Sequence, residues 1–179
     1  MFAKENSQVA STAKNIIVGG TCANLQLEGG HPFINPQTFT ANNASYSLTE
    51  NYLAEGLFAT LTLPFNATTL AGQAYVLDTD IKPSDGNING TEVTAITADK
   101  PVLVTAAGSY NGTDVSVSTA SRNTTCTNGQ LVGVYSTAEA PARSYVLQNH
   151  TSGEGVRFYI VGPVIPTVGP FRAYIKPQD

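Results

Sequence analysis

The sequence Leu57-Phe-Ala-Thr-Leu-Thr-Leu-Pro-Phe65 alternates in polarity along its length and decides the fold class. Successive side chains of a β-strand point to opposite faces of the sheet. One face of this stretch would carry only apolar side chains, which are Leu57, Ala59, Leu61, Leu63 and Phe65. The opposite face would carry Phe58, Thr60 and Thr62. The pattern predicts a half-buried β-strand that ends at a proline.

Further segments of the chain have the composition of short strands. They are Cys22–Leu27, Phe39–Leu48, Gln73–Asp78, Glu92–Ile96, Pro101–Ala106, Asp114–Ser118, Gln130–Tyr135, Arg143–Gln148, Val156–Val161 and Phe171–Lys176. Turn signals separate them, namely Gly29-Gly30, Asp85-Gly86, Asn89-Gly90, Asn111-Gly112 and Asn128-Gly129. Asn-Gly and Asp-Gly pairs tolerate the positive φ angles that tight hairpin turns require. No helical patterns alternate with these strands, which excludes a Rossmann-like sheet.

We therefore predict an all-β protein, an antiparallel β-sandwich of jelly-roll or immunoglobulin-like type with about 10–12 short strands. Residues 1–14 are polar and lack the apolar run of an export leader, so we expect a flexible arm or linker there. Residues 15–179 are expected to form a single sandwich module. The missing leader favours a domain excised from a longer chain.

Composition and charge exclude several classes of function. The chain has 9 Lys+Arg against 13 Asp+Glu, a net charge of −4, and only 12% charged residues. Nucleic-acid binding needs a basic face that neutralises phosphates, and this chain has no basic surplus or cluster. No stretch approaches the roughly 18 apolar residues that cross a bilayer. We expect neither nucleic acid nor an inserted membrane segment among its partners.

The two cysteines, Cys22 and Cys126, leave two alternatives open. They are either buried thiols or a disulfide, which would add roughly 4 kcal/mol in an oxidising compartment by closing so long a loop. No Cys-x-x-Cys pair or histidine cluster accompanies them, so no metal site is predicted.

Catalytic constellations are nearly absent from the sequence. Its two histidines are His31, in a turn that enters a strand, and His150, in an expected loop. Neither Gly-x-Ser-x-Gly nor a phosphate-binding glycine motif occurs. The acidic stretch Asp78–Asn87 fits a solvated loop better than a calcium site. We predict no catalytic residue, no cofactor and no enzymatic activity.

Sugar binding is the main competing hypothesis, because aromatic faces stack on sugar rings. The chain has eight tyrosines and no tryptophan. Most tyrosines fall within strand patterns, where the ring packs and the hydroxyl stays wet. Tyr52 and Tyr110 fall near loops and are the predicted ligand-binding residues.

The order of several fragments resembles a β-sandwich module of large cell-surface and secreted proteins of Bacteroidetes, often found at the end of leucine-rich-repeat or other multi-domain chains. The fragments are Cys22–Leu27, Pro32-Phe33, Phe39–Ala41, Ala44–Tyr46, Phe58–Phe65, Gly72–Tyr75, Ile96–Val104, Gly108–Tyr110, Leu131–Tyr135, Ser144–Leu147, Gly155–Tyr159 and Pro170–Ile175. Phe58 stands where the signature strand of that module usually begins with a tryptophan.

The resemblance implies a secreted or cell-surface module with no catalytic residues to carry over. The first hypothesis is therefore a non-catalytic structural spacer or adhesion domain of a bacterial surface protein. The second is a carbohydrate-binding accessory module, and the third is a phage capsid or fibre decoration protein. The expected partner is a glycan or another surface protein.

Overall fold

The computed structural model describes residues 13–50, 53, 57–78, 88–150 and 155–176, and it confirms the all-β prediction. The strands are β1 (Ile17–Val18), β2 (Thr21–Glu28), β3 (Phe39–Leu48), β4 (Ala59–Leu61), β5 (Ala74–Leu77), β6 (Gly90–Val93), β7 (Val102–Val104), β8 (Gly108–Val117), β9 (Thr125–Asn128), β10 (Leu131–Val134), β11 (Ala138–Glu139), β12 (Tyr145–His150), β13 (Gly155–Ile160), β14 (Thr167–Val168) and β15 (Arg172–Ile175). Three of them, β1, β11 and β14, have two residues each, which raises the strand count above the predicted range.

The described strands form three sheets and one short ladder. The first sheet has the order β1-β2-β3-β8, the middle sheet β4-β7-β5-β6, and the third sheet β13-β12-β15-β10-β9. The ladder pairs β11 with β14. Ahead of β1, Lys14 forms an isolated bridge with Asn24 of β2, so the described chain joins the first sheet before β1 begins.

One strand pair departs from the predicted antiparallel arrangement, because β2 and β3 run parallel from Thr21↔Thr40 to Glu28↔Ser47. The connection between them leaves the first sheet instead of forming a hairpin. The backbone N–H of Phe33 donates to the Tyr135 carbonyl over 2.8 Å, and Asn35 bridges Ala120. This connection returns the chain to the end of the first sheet at which β2 began, so β3 can run parallel to β2.

Other sheets pack on both faces of the middle sheet. Val102 and Val104 of β7 belong to the main core, which they share with the first sheet. Leu103, between them, packs with Leu131 and Ile175 of the third sheet in a second core. The β-sandwich is thus stacked in three layers of sheet.

The prediction of a half-buried strand at Leu57–Phe65 is therefore wrong. Its strand covers only Ala59–Leu61, and every residue from 59 to 65 is buried. The third sheet covers the face that was expected to meet water. There, the hydroxyl of Thr60 bonds both backbone groups of Ala173, and the Thr62 N–H donates to the Phe171 carbonyl over 2.9 Å.

An aromatic cluster ties the first sheet to the third. Phe171, just before β15, lies 4.9 Å from Tyr46 of β3 between ring centroids. Its ring is also 5.9 Å from that of Tyr135 and 6.2 Å from that of Phe33. Such tilted and edge-to-face contacts stabilise a core beyond the area that they bury.

Within the described residues, no helix is long and apolar enough to cross a membrane.

Candidate functional site

A groove of about 900 Å³ lies between the middle and third sheets. We call it the aromatic groove. The middle sheet and its rim contribute Phe58, Tyr75, Leu77, Ile88, Asn89, Gly90 and Leu103. The third sheet contributes Leu147, Val156, Arg157 and Phe158. Ligand sites of proteins have volumes of roughly 300–1,000 Å³ and mostly apolar walls with a few polar groups, so this groove has the dimensions of a binding site.

Strand alternation sets one wall of the aromatic groove. Along β5, Ala74 and Val76 pack in the main core, whereas Tyr75 and Leu77 point to the opposite side. Tyr75 and Leu77 therefore face the third sheet. Leu103 joins them from the neighbouring strand β7.

The hairpin of β12 and β13 forms the other wall. Leu147 and Phe158 are directly paired across it, so their side chains share one face. Val156 lies on the same face of β13 as Phe158, because the two residues are two positions apart. Arg157, between them, directs its side chain to the opposite face by the same alternation. Apart from Arg157, the described residues that line the groove are uncharged.

The rim carries the most accessible aromatic ring of the groove. Phe58 is 42% exposed, and its ring meets that of Tyr75 edge-on, with 6.3 Å between centroids and 72° between planes. Asn89 supplies an amide, and Tyr75 supplies a hydroxyl. The groove can accordingly offer a ring face for stacking and neutral hydrogen-bonding groups beside it.

A polar cluster around Asp99 lies on another part of the molecule. The hydroxyl of Tyr135 and the thiol of Cys126 donate to Asp99 Oδ1, over 2.5 Å and 3.5 Å, and the hydroxyl of Ser118 donates to Oδ2 over 2.5 Å. Burial, reinforced by the Asp99 charge, raises the pKa of the Cys126 thiol to about 11. Burial also raises the pKa of Tyr135. Both groups stay protonated at neutral pH and act as donors to the carboxylate, which is the opposite of what an activated nucleophile requires.

The expectation that Tyr110 is an exposed sugar platform is wrong. Tyr110 lies within β8, opposite Tyr46 of β3, and none of its surface is exposed. Its hydroxyl donates to the Ala106 carbonyl over 2.5 Å, and burial raises its pKa to about 12. The strand begins at Gly108, so the segment taken for a loop is already paired. Tyr52, the other predicted platform, lies outside the described residues.

The cysteines are two buried free thiols, so the disulfide alternative is wrong in this structure. Cys22 lies in β2 of the first sheet, and burial raises its pKa. Cys126 lies in β9, at the edge of the third sheet, where its thiol is directed at Asp99. The two strands belong to different layers, which sequence spacing could not indicate.

The remaining candidates do not form a site among the residues that the structure describes. His31 is exposed and lies 3.8 Å from the exposed Glu28 carboxylate. The side chain of His150 and residues 79–87 of the acidic stretch lie outside the described part of the chain. In that part, no cluster of three or more His, Cys, Asp or Glu could hold a metal.

The residues of the aromatic groove were not predicted as a site. Tyr75 and Phe158 were assigned to strands, and Phe58 stood out only as the replacement of a tryptophan. The signal that points to them is the apolar character of both faces of Ala74–Leu77 and Val102–Val104, which is typical of a strand covered on both sides.

Comparisons of the chain with family models, curated proteins and solved structures found no match. The resemblance to Bacteroidetes surface modules remains a prediction.

Proposed function

We propose that the chain is a non-catalytic β-sandwich module of a secreted or cell-surface bacterial protein, with an adhesion role, and that it holds a neutral glycan in the aromatic groove. The observation that carries the proposal is the groove itself, with the exposed ring of Phe58 at its rim. A structural spacer needs no such concavity, so the groove favours adhesion over the spacer alternative.

The chemistry of the groove fits a sugar in two respects. Sugar rings present C–H faces that stack on aromatic rings, and Phe58 and Tyr75 offer adjacent rings at a rim that solvent reaches. Sugar hydroxyls need hydrogen-bonding partners, which the Asn89 amide and the Tyr75 hydroxyl supply. An uncharged set of inward side chains suits a neutral glycan better than an anionic one.

A glycan array tests this proposal with purified protein. We expect the wild type to bind one class of neutral glycan, and Phe58→Ala to weaken that binding at least tenfold because it removes the stacking face. Phe58→Tyr should retain binding. Ile34→Ala is the matched control, because Ile34 is also an exposed apolar residue, at 48%, and does not line the groove.

Two results would contradict the proposal. One is the absence of binding to any glycan, including the case in which an apolar ligand such as a fatty acid occupies the groove instead. The other is glycan binding that Phe58→Ala leaves at wild-type strength, which would move the site elsewhere.

A further inference from the structure

Strand β13 forms an edge of the third sheet, and its sequence is Gly-Val-Arg-Phe-Tyr-Ile. Proteins usually protect such edges with proline, lysine or a bulge, because unpaired backbone groups recruit other strands. The only charge on β13 is that of Arg157, and Ile160 at its end is 61% exposed. Among the residues that the structure describes, the edge therefore lacks the usual protection.

The hydrogen bonds at the end of the β12–β13 hairpin indicate which backbone N–H and carbonyl groups of β13 point away from β12. The Val161 N–H donates to the Ser144 carbonyl over 2.8 Å, and the Val161 carbonyl accepts from Arg143 over 3.2 Å. Val161 thus turns its polar groups toward β12, and by alternation Val156, Phe158 and Ile160 turn theirs away. Among the described residues, β13 pairs only with β12, and no further backbone hydrogen bond joins these outward groups to another strand.

We propose that this edge pairs with β13 of a second copy of the chain, antiparallel, with Phe158 opposite Phe158. In this register Val156 lies opposite Ile160 of the second copy, so each outward residue donates one hydrogen bond and accepts another. Ile160 is covered by Val156 on one face of the joined sheet. Arg157 lies opposite Tyr159 of the second copy, where a guanidinium and a ring attract each other.

Neighbouring registers are less favourable. Centring the pair on Arg157 would place two guanidinium groups directly opposite each other, which destabilises a strand pair. Centring it on Tyr159 would move Val156 opposite Gly162, beyond the end of the strand. The strand is therefore self-complementary in one register, and this favours a second copy over an unrelated peptide.

Pairing by one strand buries a small interface, so the dimer should be weak and depend on concentration. Analytical ultracentrifugation over a wide range of protein concentrations tests it. We expect the wild type to dimerise and Ile160→Lys to raise the dimer dissociation constant at least tenfold. Ile34→Lys, which introduces the same charge at another exposed isoleucine, should behave as the wild type.

Hydrogen exchange distinguishes this edge from any other interface. The amides of Val156, Phe158 and Ile160 should become more protected as the concentration rises. A wild type that stays monomeric at every concentration would overturn the proposal. So would a dimer that Ile160→Lys does not weaken, or one whose formation leaves these three amides unprotected. Glycan binding enters neither readout, so the two proposals fail separately.

Discussion

The hydroxyl of Thr60 forms the two hydrogen bonds that a neighbouring strand would otherwise form with the backbone of Ala173 in β15. It accepts from the Ala173 N–H over 3.0 Å and donates to the Ala173 carbonyl over 3.2 Å. Strand β12 pairs with β15 only at Tyr145↔Ile175 and Val146↔Tyr174, and does not extend to Ala173. A buried backbone group without a partner is costly, so one side chain of the middle sheet completes the hydrogen bonding of the third.

Thr60→Val tests this role, because it removes the hydroxyl and keeps the shape. We expect the free energy of unfolding to fall by about 1–3 kcal/mol, the cost of leaving buried polar groups unsatisfied. Urea denaturation measures the change. Thr113→Val is the control, because Thr113 is an exposed threonine of β8, and its effect should stay within about 0.5 kcal/mol. Equal effects of the two substitutions would contradict the role given to Thr60.

Because the pKa of the Cys126 thiol is raised in the folded chain, we expect the stability of the protein to depend on pH in the alkaline range. Its pKa rises from 9.0 to about 11 on folding, so between these values the unfolded chain releases a proton that the folded chain keeps. The free energy of unfolding therefore falls as pH rises through this window, by about 1–3 kcal/mol for this group.

Cys126→Ser isolates the contribution of that thiol, because serine still donates to Asp99 but does not titrate in this range. Urea unfolding of both proteins from pH 8 to pH 11 should show a steeper loss for the wild type. Parallel curves would contradict the assignment. Tyrosines and Cys22, whose raised pKa acts in the same direction, are common to both proteins and cancel.

Residue-scale predictions failed where strand pairing and the packing of sheets decide whether a side chain is exposed. The position of Tyr110 near Asn111-Gly112 favoured a loop, but β8 continues through that pair and buries the ring. The two thiols lie in strands of different sheets. A sequence indicates local conformation better than it indicates which layers meet.

At the scale of elements, the alternation of Leu57–Phe65 correctly predicted a strand but not its surroundings. Alternation indicates which residues share a face, and threonine is compatible with water. Nothing local indicates that the hydroxyl of Thr60 and the backbone N–H of Thr62 donate to carbonyl groups around β15. The parallel pairing of β2 and β3 was missed for the same reason, since the long excursion between them is fixed by distant contacts.

The third sheet approaches the chain just after β4 closely at Gly133 of β10. A Cβ there would lie 2.1 Å from Thr62 Oγ1 and 2.8 Å from Thr62 Cβ. Gly133→Ala should therefore force the sheets apart and lower the free energy of unfolding by about 1–3 kcal/mol or more.

Thermal and urea unfolding of Gly133→Ala provide the measurement. Gly162→Ala is the matched control, because a Cβ at Gly162 would meet nothing within 4 Å. A Gly133→Ala protein as stable as this control would mean that the two sheets do not pack as closely as described.

At the scale of the whole molecule, the aromatic groove exists because three layers stack. The first layer buries one face of the middle sheet, and the third sheet covers only part of the other face. The uncovered part leaves Phe58, Tyr75 and Phe158 around an open groove. The all-β class and the sandwich were predictable from strand patterns and turns. The groove depends on how two sheets diverge, which the sequence of a single strand does not indicate.

The most direct test of the binding role is a titration of the isotopically labelled protein with an array-selected neutral glycan, followed by amide chemical shifts. We predict that the shifts concentrate at Tyr75, Asn89 and Phe158 and disappear in Phe58→Ala, while Ile34→Ala retains them. Shifts that avoid the groove, or that persist unchanged in Phe58→Ala, would contradict the account.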